Sequence, residues 1–95
     1  MKEKIEKIIY TQIDKINKDR PKENKIDKKI STHLTGSKTE FDSVELIGLL
    51  VSIEDKINKL FKKKIKIADE KIIEKPEKIS SIGKLIDMIY NKINK

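Results

Sequence analysis

One stretch limits what this chain can fold into. Residues 41–57 read Phe-Asp-Ser-Val-Glu-Leu-Ile-Gly-Leu-Leu-Val-Ser-Ile-Glu-Asp-Lys-Ile, the most apolar run in a sequence crowded with lysine. Leu46, Leu49, Leu50, Ile53 and Ile57 recur at three- and four-residue spacing, which puts them on one face of a helix. Val44, Ile47 and Val51 widen that face until little polar surface is left. A helix apolar nearly all round is expected in the middle of a small bundle, with neighbours on several sides. The run is shorter than the roughly 20 residues a bilayer-spanning helix needs, so no membrane span is expected.

The start of this helix carries the chemistry. The first four N–H groups of any helix lack partners within it. Asp42 is a good N-cap, because its carboxylate accepts from those groups. Glu45, three residues on, completes a capping box with Asp in place of Ser or Thr. Ser43 then falls in the first turn, where its short hydroxyl side chain is expected near solvent. An anion attached there would face the positive end of the helix dipole.

As a pattern the segment is D-S-V-x-x-I-x-L-L-x-x-I-E-D. It resembles the phosphopantetheine attachment segment of the acyl carrier protein family. In that family the serine of a D-S-L motif carries the prosthetic group and opens the second helix of a four-helix bundle. The matching residues are Asp42, Ser43, Val44, Ile47, Leu49, Leu50, Ile53, Glu54 and Asp55, with Val44 in place of the usual leucine. Residues 77–90, with Glu-Lys-Ile-Ser-Ser-Ile before Leu-Ile-Asp-Met-Ile, resemble the family's fourth helix. The likeness covers most of the chain and is weakest over residues 17–35.

The resemblance implies an all-α fold: a four-helix bundle with a long first loop and a short third helix. It implies 4'-phosphopantetheine on Ser43, delivered from coenzyme A by a separate phosphopantetheinyl transferase. The arm would hold an acyl or aminoacyl group as a thioester for enzymes that load and use it. Such a chain is a carrier and not an enzyme, since the cofactor supplies the reactive thiol. No catalytic residue and no metal ligand set is expected. Fatty acid, polyketide, peptide, D-alanine and specialised lipid or glycan carriers share the motif, so the pathway is not legible.

Composition agrees with one domain over residues 1–95. Leu, Ile, Val and Phe make up 29 of 95 residues, 19 of them isoleucine, well above the roughly 20% that marks disorder. With no cysteine there is neither disulfide framework nor thiolate chemistry. The N-terminus lacks the uninterrupted apolar segment of a signal peptide, and a cytoplasmic monomer is expected. The net charge of +7 keeps a second class open, a small basic helical protein binding nucleic acid or an acidic partner. Its lysines are mostly mixed with Glu and Asp, it has one arginine, and aromatics are few, so no nucleic-acid partner is expected. A third class is a carrier-fold interaction module that is never modified.

Residues 2–18 form an amphipathic helix, with Ile5, Ile8, Ile9, Ile13 and Ile16 as its stripe, Tyr10 and Gln12 near the edge, and an outward Glu3–Lys7 pair. It ends before Pro21. The polar stretch 19–40 reads as a loop anchored by Ile26, Ile30 and Leu34, and its lone histidine, His33, as a solvated loop residue. Leu60 and Phe61 extend the central helix to the Lys62-Lys63-Lys64 turn, and Ile65 and Ile67 point inward from an extended linker. A short helical turn is expected at Ile72 and Ile73 before Pro76, and Ser80 or Ser81 caps a last helix built on Ile82, Leu85, Ile86, Ile89, Tyr90 and Ile93.

Two further expectations concern the central helix. Residues 39–55 hold five acids and no Lys or Arg, so local charge is negative on a basic chain. Partners are therefore expected at its Ser43 end, recognising Asp42, Val44, Glu45, Glu54 and Asp55 through basic side chains. Gly48, a glycine in mid-helix, is expected either to open a slot for an acyl chain or to allow close packing.

Overall fold

A computed structural model describes residues 2–36, 39, 41–68 and 76–94. Among them are three α-helices and no strand: α1 (Lys2–Asn17), α2 (Ser43–Phe61) and α3 (Ile82–Ile93). Single 3-10 turns lie at Lys22–Asn24 and Pro76–Ile79. The helical turn expected at Ile72 and Ile73 lies outside the described residues. The Cα radius of gyration is 12.5 Å, close to the ~12 Å of a compact chain this long.

Each helix forms where the spacing places it. Ile5, Ile9 and Ile13 of α1, Leu50, Ile53 and Ile57 of α2, and Ile82, Leu85 and Ile89 of α3 are fully buried in one cluster. The core is aliphatic except for Phe41. β-branched isoleucine has essentially one χ1 rotamer in a helix, so its χ1 freedom is lost when the helix forms and packing into the core costs little more. The outward Glu3–Lys7 pair does not form. The ion pairs of α1 instead reach across to its neighbours, Lys2 to Asp87 on α3 at 3.1 Å and Asp14 to Lys28 at 2.9 Å.

The central position belongs to α1, because α2 and α3 both pack against it. This corrects the expectation that α2 is surrounded. Val44 is 80% exposed, Ile47 43% and Val51 50%. At 100° per residue these three fall within about 60° of one another, opposite Ile53, so they form a separate outward ribbon.

The long first loop is tied down by side-chain clamps. Asn17, buried at the end of α1, accepts from the Ile26 N–H through Oδ1 (2.7 Å) and donates through Nδ2 to the Ile26 carbonyl (3.0 Å). Ile26 and Leu34 are buried as expected, whereas Ile30 is 58% exposed. Ile30 serves through its backbone: Gly83 N–H donates to its carbonyl (2.9 Å), beside Ile82 N–H to Thr32 (3.1 Å) and Leu34 N–H to Ser80 (2.9 Å). A Cβ on Gly83 would lie 2.5 Å from Ile30 Cγ2 and 3.4 Å from the Ile30 carbonyl oxygen, so any other residue would have to displace Ile30 at this seam.

A second clamp follows α2. Asn58 pairs with both backbone groups of Ile65, at 2.9 and 3.1 Å, while the helix stops at Lys62, which takes left-handed angles (φ 54°). The extended linker then buries Ile67, as its alternation predicts. Ser81 caps α3, accepting from Lys84 N–H at 3.3 Å.

Candidate functional site

The start of α2 is built from three directions. From the loop, Phe41 is buried at the position before the cap, and its N–H donates to Thr39 Oγ1 (3.1 Å). Leu46, one turn into the helix, packs on the same core, which is the placement of a hydrophobic staple. From the helix, the capping box expected of Asp42 and Glu45 is complete. Asp42 Oδ1 accepts from Glu45 N–H at 2.7 Å, and Glu45 Oε1 accepts from Asp42 N–H at 3.2 Å. Ser43 is therefore the first residue of the helix proper.

The third direction was not legible in the sequence. Arg20, the chain's single arginine, reaches across from the first loop, and its Nη2 donates to Glu45 Oε1 at 2.6 Å. Its Nη1 donates to the Asn24 carbonyl at 3.2 Å. Both side chains of the ion pair are partly buried, so the attraction is screened less than at an open surface. Arg20 thus joins the 3-10 turn to the cap of α2. It also offsets one of the two carboxylates beside Ser43.

The five residues expected to recognise partners have different surroundings. Val44 stands open next to Ser43, and Ile47 and Val51 continue its apolar ribbon along α2. The expectation that all three widen the buried face of α2 is corrected by their exposure. Their angular distance from Leu46, Leu50 and Ile53 was the available signal. Asp42 and Glu45 are held in the cap, and Glu45 also by Arg20. Glu54 accepts from Ile67 N–H at 2.6 Å and so holds the linker after α2. Asp55 is exposed and meets Lys59, one turn on, at 3.2 Å. Three of the four acids therefore have structural duties, and reversing Glu45 and Glu54 together would disturb folding as well as docking.

Gly48 faces outward. A Cβ there would meet no atom within 4 Å, so neither an enclosed slot nor a close helix contact explains the glycine. It borders an open groove of about 320 Å³ between α1 and α2, with Gln12, Ile16, Leu49 and Ser52 along it. His33 is exposed, and its backbone bridges to Ser81. No helix among the described residues is long and apolar enough to cross a membrane. No protein-family model, curated protein or solved structure matches the chain.

Proposed function

We propose that this chain is a carrier protein, modified on Ser43 by 4'-phosphopantetheine and bearing an acyl or aminoacyl group as a thioester. The reading takes the fold to be the four-helix bundle of the acyl carrier protein family, which the segment 41–57 resembles. The observation that carries it is the opening of α2: a complete capping box puts Ser43 at the first helical position, followed directly by an 80% exposed Val44. A transferase needs a serine at a helix start with an exposed recognition residue beside it, and the first-turn position of Ser43 and the open Val44 support that reading.

The group fits the residues present. The positive end of the α2 dipole favours a phosphodiester at the first turn. The carboxylates of Asp42 and Glu45 oppose one, and the Arg20 guanidinium on Glu45 lessens that opposition. In the modification the Ser43 oxygen bonds to the β-phosphorus of coenzyme A, adenosine 3',5'-bisphosphate leaves, and the serine proton passes to the transferase or solvent. Once bound, the arm supplies the thiol that holds the cargo. The chain fixes the attachment point and presents the Val44–Ile47–Val51 ribbon to whatever enzyme receives the arm. Tethering raises the effective concentration of cargo at that enzyme.

The test is intact-protein mass spectrometry after incubation with coenzyme A and a broad-specificity phosphopantetheinyl transferase. Wild type should gain the mass of one arm. Ser43→Ala should gain nothing while keeping its helical circular dichroism. A wild-type chain left unmodified by several such transferases would leave the interaction-module reading in its place.

A further inference from the structure

One side of the α1–α2 seam is left uncovered by the described residues. Two adjoining depressions run along it and share Gln12 and Lys15. The larger, about 500 Å³, has Ile8 and Leu60 as its floor and Lys4, Lys7, Lys15 and Lys56 as its rim. The smaller continues past Ile16 and Leu49 to Gly48, with Asp19 and Glu45 also lining it, so the basic rim belongs to the larger depression. From Lys4 to Ile16 the seam follows α1 for about 18 Å, at 1.5 Å per residue.

Four features of this groove find no use among the described residues. Leu60 is 52% exposed at the end of an otherwise well-packed helix face. The four rim lysines form no ion pair among the described residues, although Lys2, Lys28 and Lys59 do. Gln12 is a polar side chain only 5% exposed that lines both depressions where they meet. Gly48 lies in mid-helix with open space where a side chain would be.

We propose that this groove docks an acidic amphipathic helix of a partner protein. The apolar stripe of that helix would lie on Ile8 and Leu60, with its carboxylates on Lys4, Lys7 and Lys56. A polar side chain in the stripe would pair with Gln12, and its backbone would approach α2 closely at Gly48. Helices lie in such seams by their i, i+3, i+4 and i+7 side chains. Gln12 decides between occupants. A fatty chain or a membrane surface would cover its amide with hydrocarbon and give no hydrogen bond in return, whereas a helix can place an Asn, Gln or Ser there. The groove also lacks an aromatic residue on which a nucleobase could stack. The proposal does not depend on Ser43. Lys56 and Leu60 lie toward the far end of α2, about 20 and 26 Å from its start.

The experiment uses the full chain, 15N-labelled, titrated with a synthetic amphipathic helix of about 18 residues. The probe carries leucine at helical spacing, one central asparagine in that stripe and glutamate on both flanks. A second peptide has lysine in place of each glutamate. The glutamate peptide should shift the amides of Lys4, Ile8, Gln12, Lys56 and Leu60, and the lysine peptide should bind about tenfold more weakly or worse. Lys4→Glu with Lys7→Glu and Lys56→Glu, all surface changes, should reverse that preference. Gly48→Leu, whose side chain enters open space, should weaken the glutamate peptide with the fold intact. Equal binding of the two peptides overturns the proposal, as does binding of neither or shifts confined to Val44, Ile47 and Val51. Tighter binding of the same lysines to phosphatidylglycerol vesicles or a single-stranded oligonucleotide also overturns it, assigning the groove to a membrane or to nucleic acid.

Discussion

Gly48→Ala should make this protein more stable. In a helix interior glycine is about 0.8–1.0 kcal/mol less favourable than alanine, because it orders a freer backbone. That gain is lost where the new methyl meets a neighbour, but a Cβ at Gly48 has no atom within 4 Å. The methyl stays near solvent, so burial adds little. The net expectation is a gain of about 0.8 kcal/mol, which for a domain of this size raises Tm by roughly 3–6 °C. Gly83→Ala is the matched control, since its Cβ would sit 2.5 Å from Ile30 Cγ2. Forcing the seam apart should cost about 1–3 kcal/mol. Urea unfolding followed by far-ultraviolet circular dichroism measures both, and m values unchanged from wild type would show that the denatured reference is the same. A Gly48→Ala protein no more stable than wild type would refute the reasoning, because the space at Gly48 would then be filled. A more stable variant that still loses peptide binding would show that the glycine is kept for docking.

Arg20→Ala should cost about 1–2 kcal/mol, the worth of a partly buried, charge-assisted hydrogen bond. Arg20→Lys should restore less than half of it, since one ammonium cannot serve Glu45 and Asn24 as the fork does. A loss below about 0.3 kcal/mol in urea would mean an ordinary solvated pair. Burial pushes the Tyr10 hydroxyl above its usual value of 10.0, with Glu6 adding to the rise and Lys28 opposing it. The folded chain therefore holds that proton more tightly, and the stability present below pH 10.0 is lost as pH rises through the raised value. Urea midpoints across that range should fall less steeply in Tyr10→Phe than in wild type, and parallel curves would refute the assignment.

What the sequence made legible was periodic or local. The stripes of α1 and α3, the Asp42–Glu45 box and the Ser81 cap each repeat or close within four residues, and all appear where expected. The exposed ribbon is not legible from hydrophobicity, because Val44, Ile47 and Val51 are as apolar as the buried face and differ from it only in direction. Arg20 was missed for another reason: it lies 25 residues from Glu45, and a loop that folds back leaves no period to read. Ile30 looked like an anchor by composition, but the anchoring is done by its carbonyl, a group every residue has. The open groove is a property of how two helices meet, and neither helix shows it alone.

The asparagine clamps bear on how this molecule breathes. Residues outside helices ordinarily exchange their amide hydrogens quickly, because local opening there costs little. Here Ile26 N–H is held by Asn17 and Leu34 N–H by Ser80, while Ile65 N–H is held by Asn58 and Ile67 N–H by Glu54. All four residues are fully or partly buried. In deuterium oxide these four irregular-segment amides should persist alongside the middle of α1, while those of Lys22 and Lys28 exchange early. The first loop then behaves as a plate riveted at Ile26 and Leu34, so it can leave the helices only by releasing both. A shared exchange rate at those two amides would mark residues 26–34 as a single opening unit.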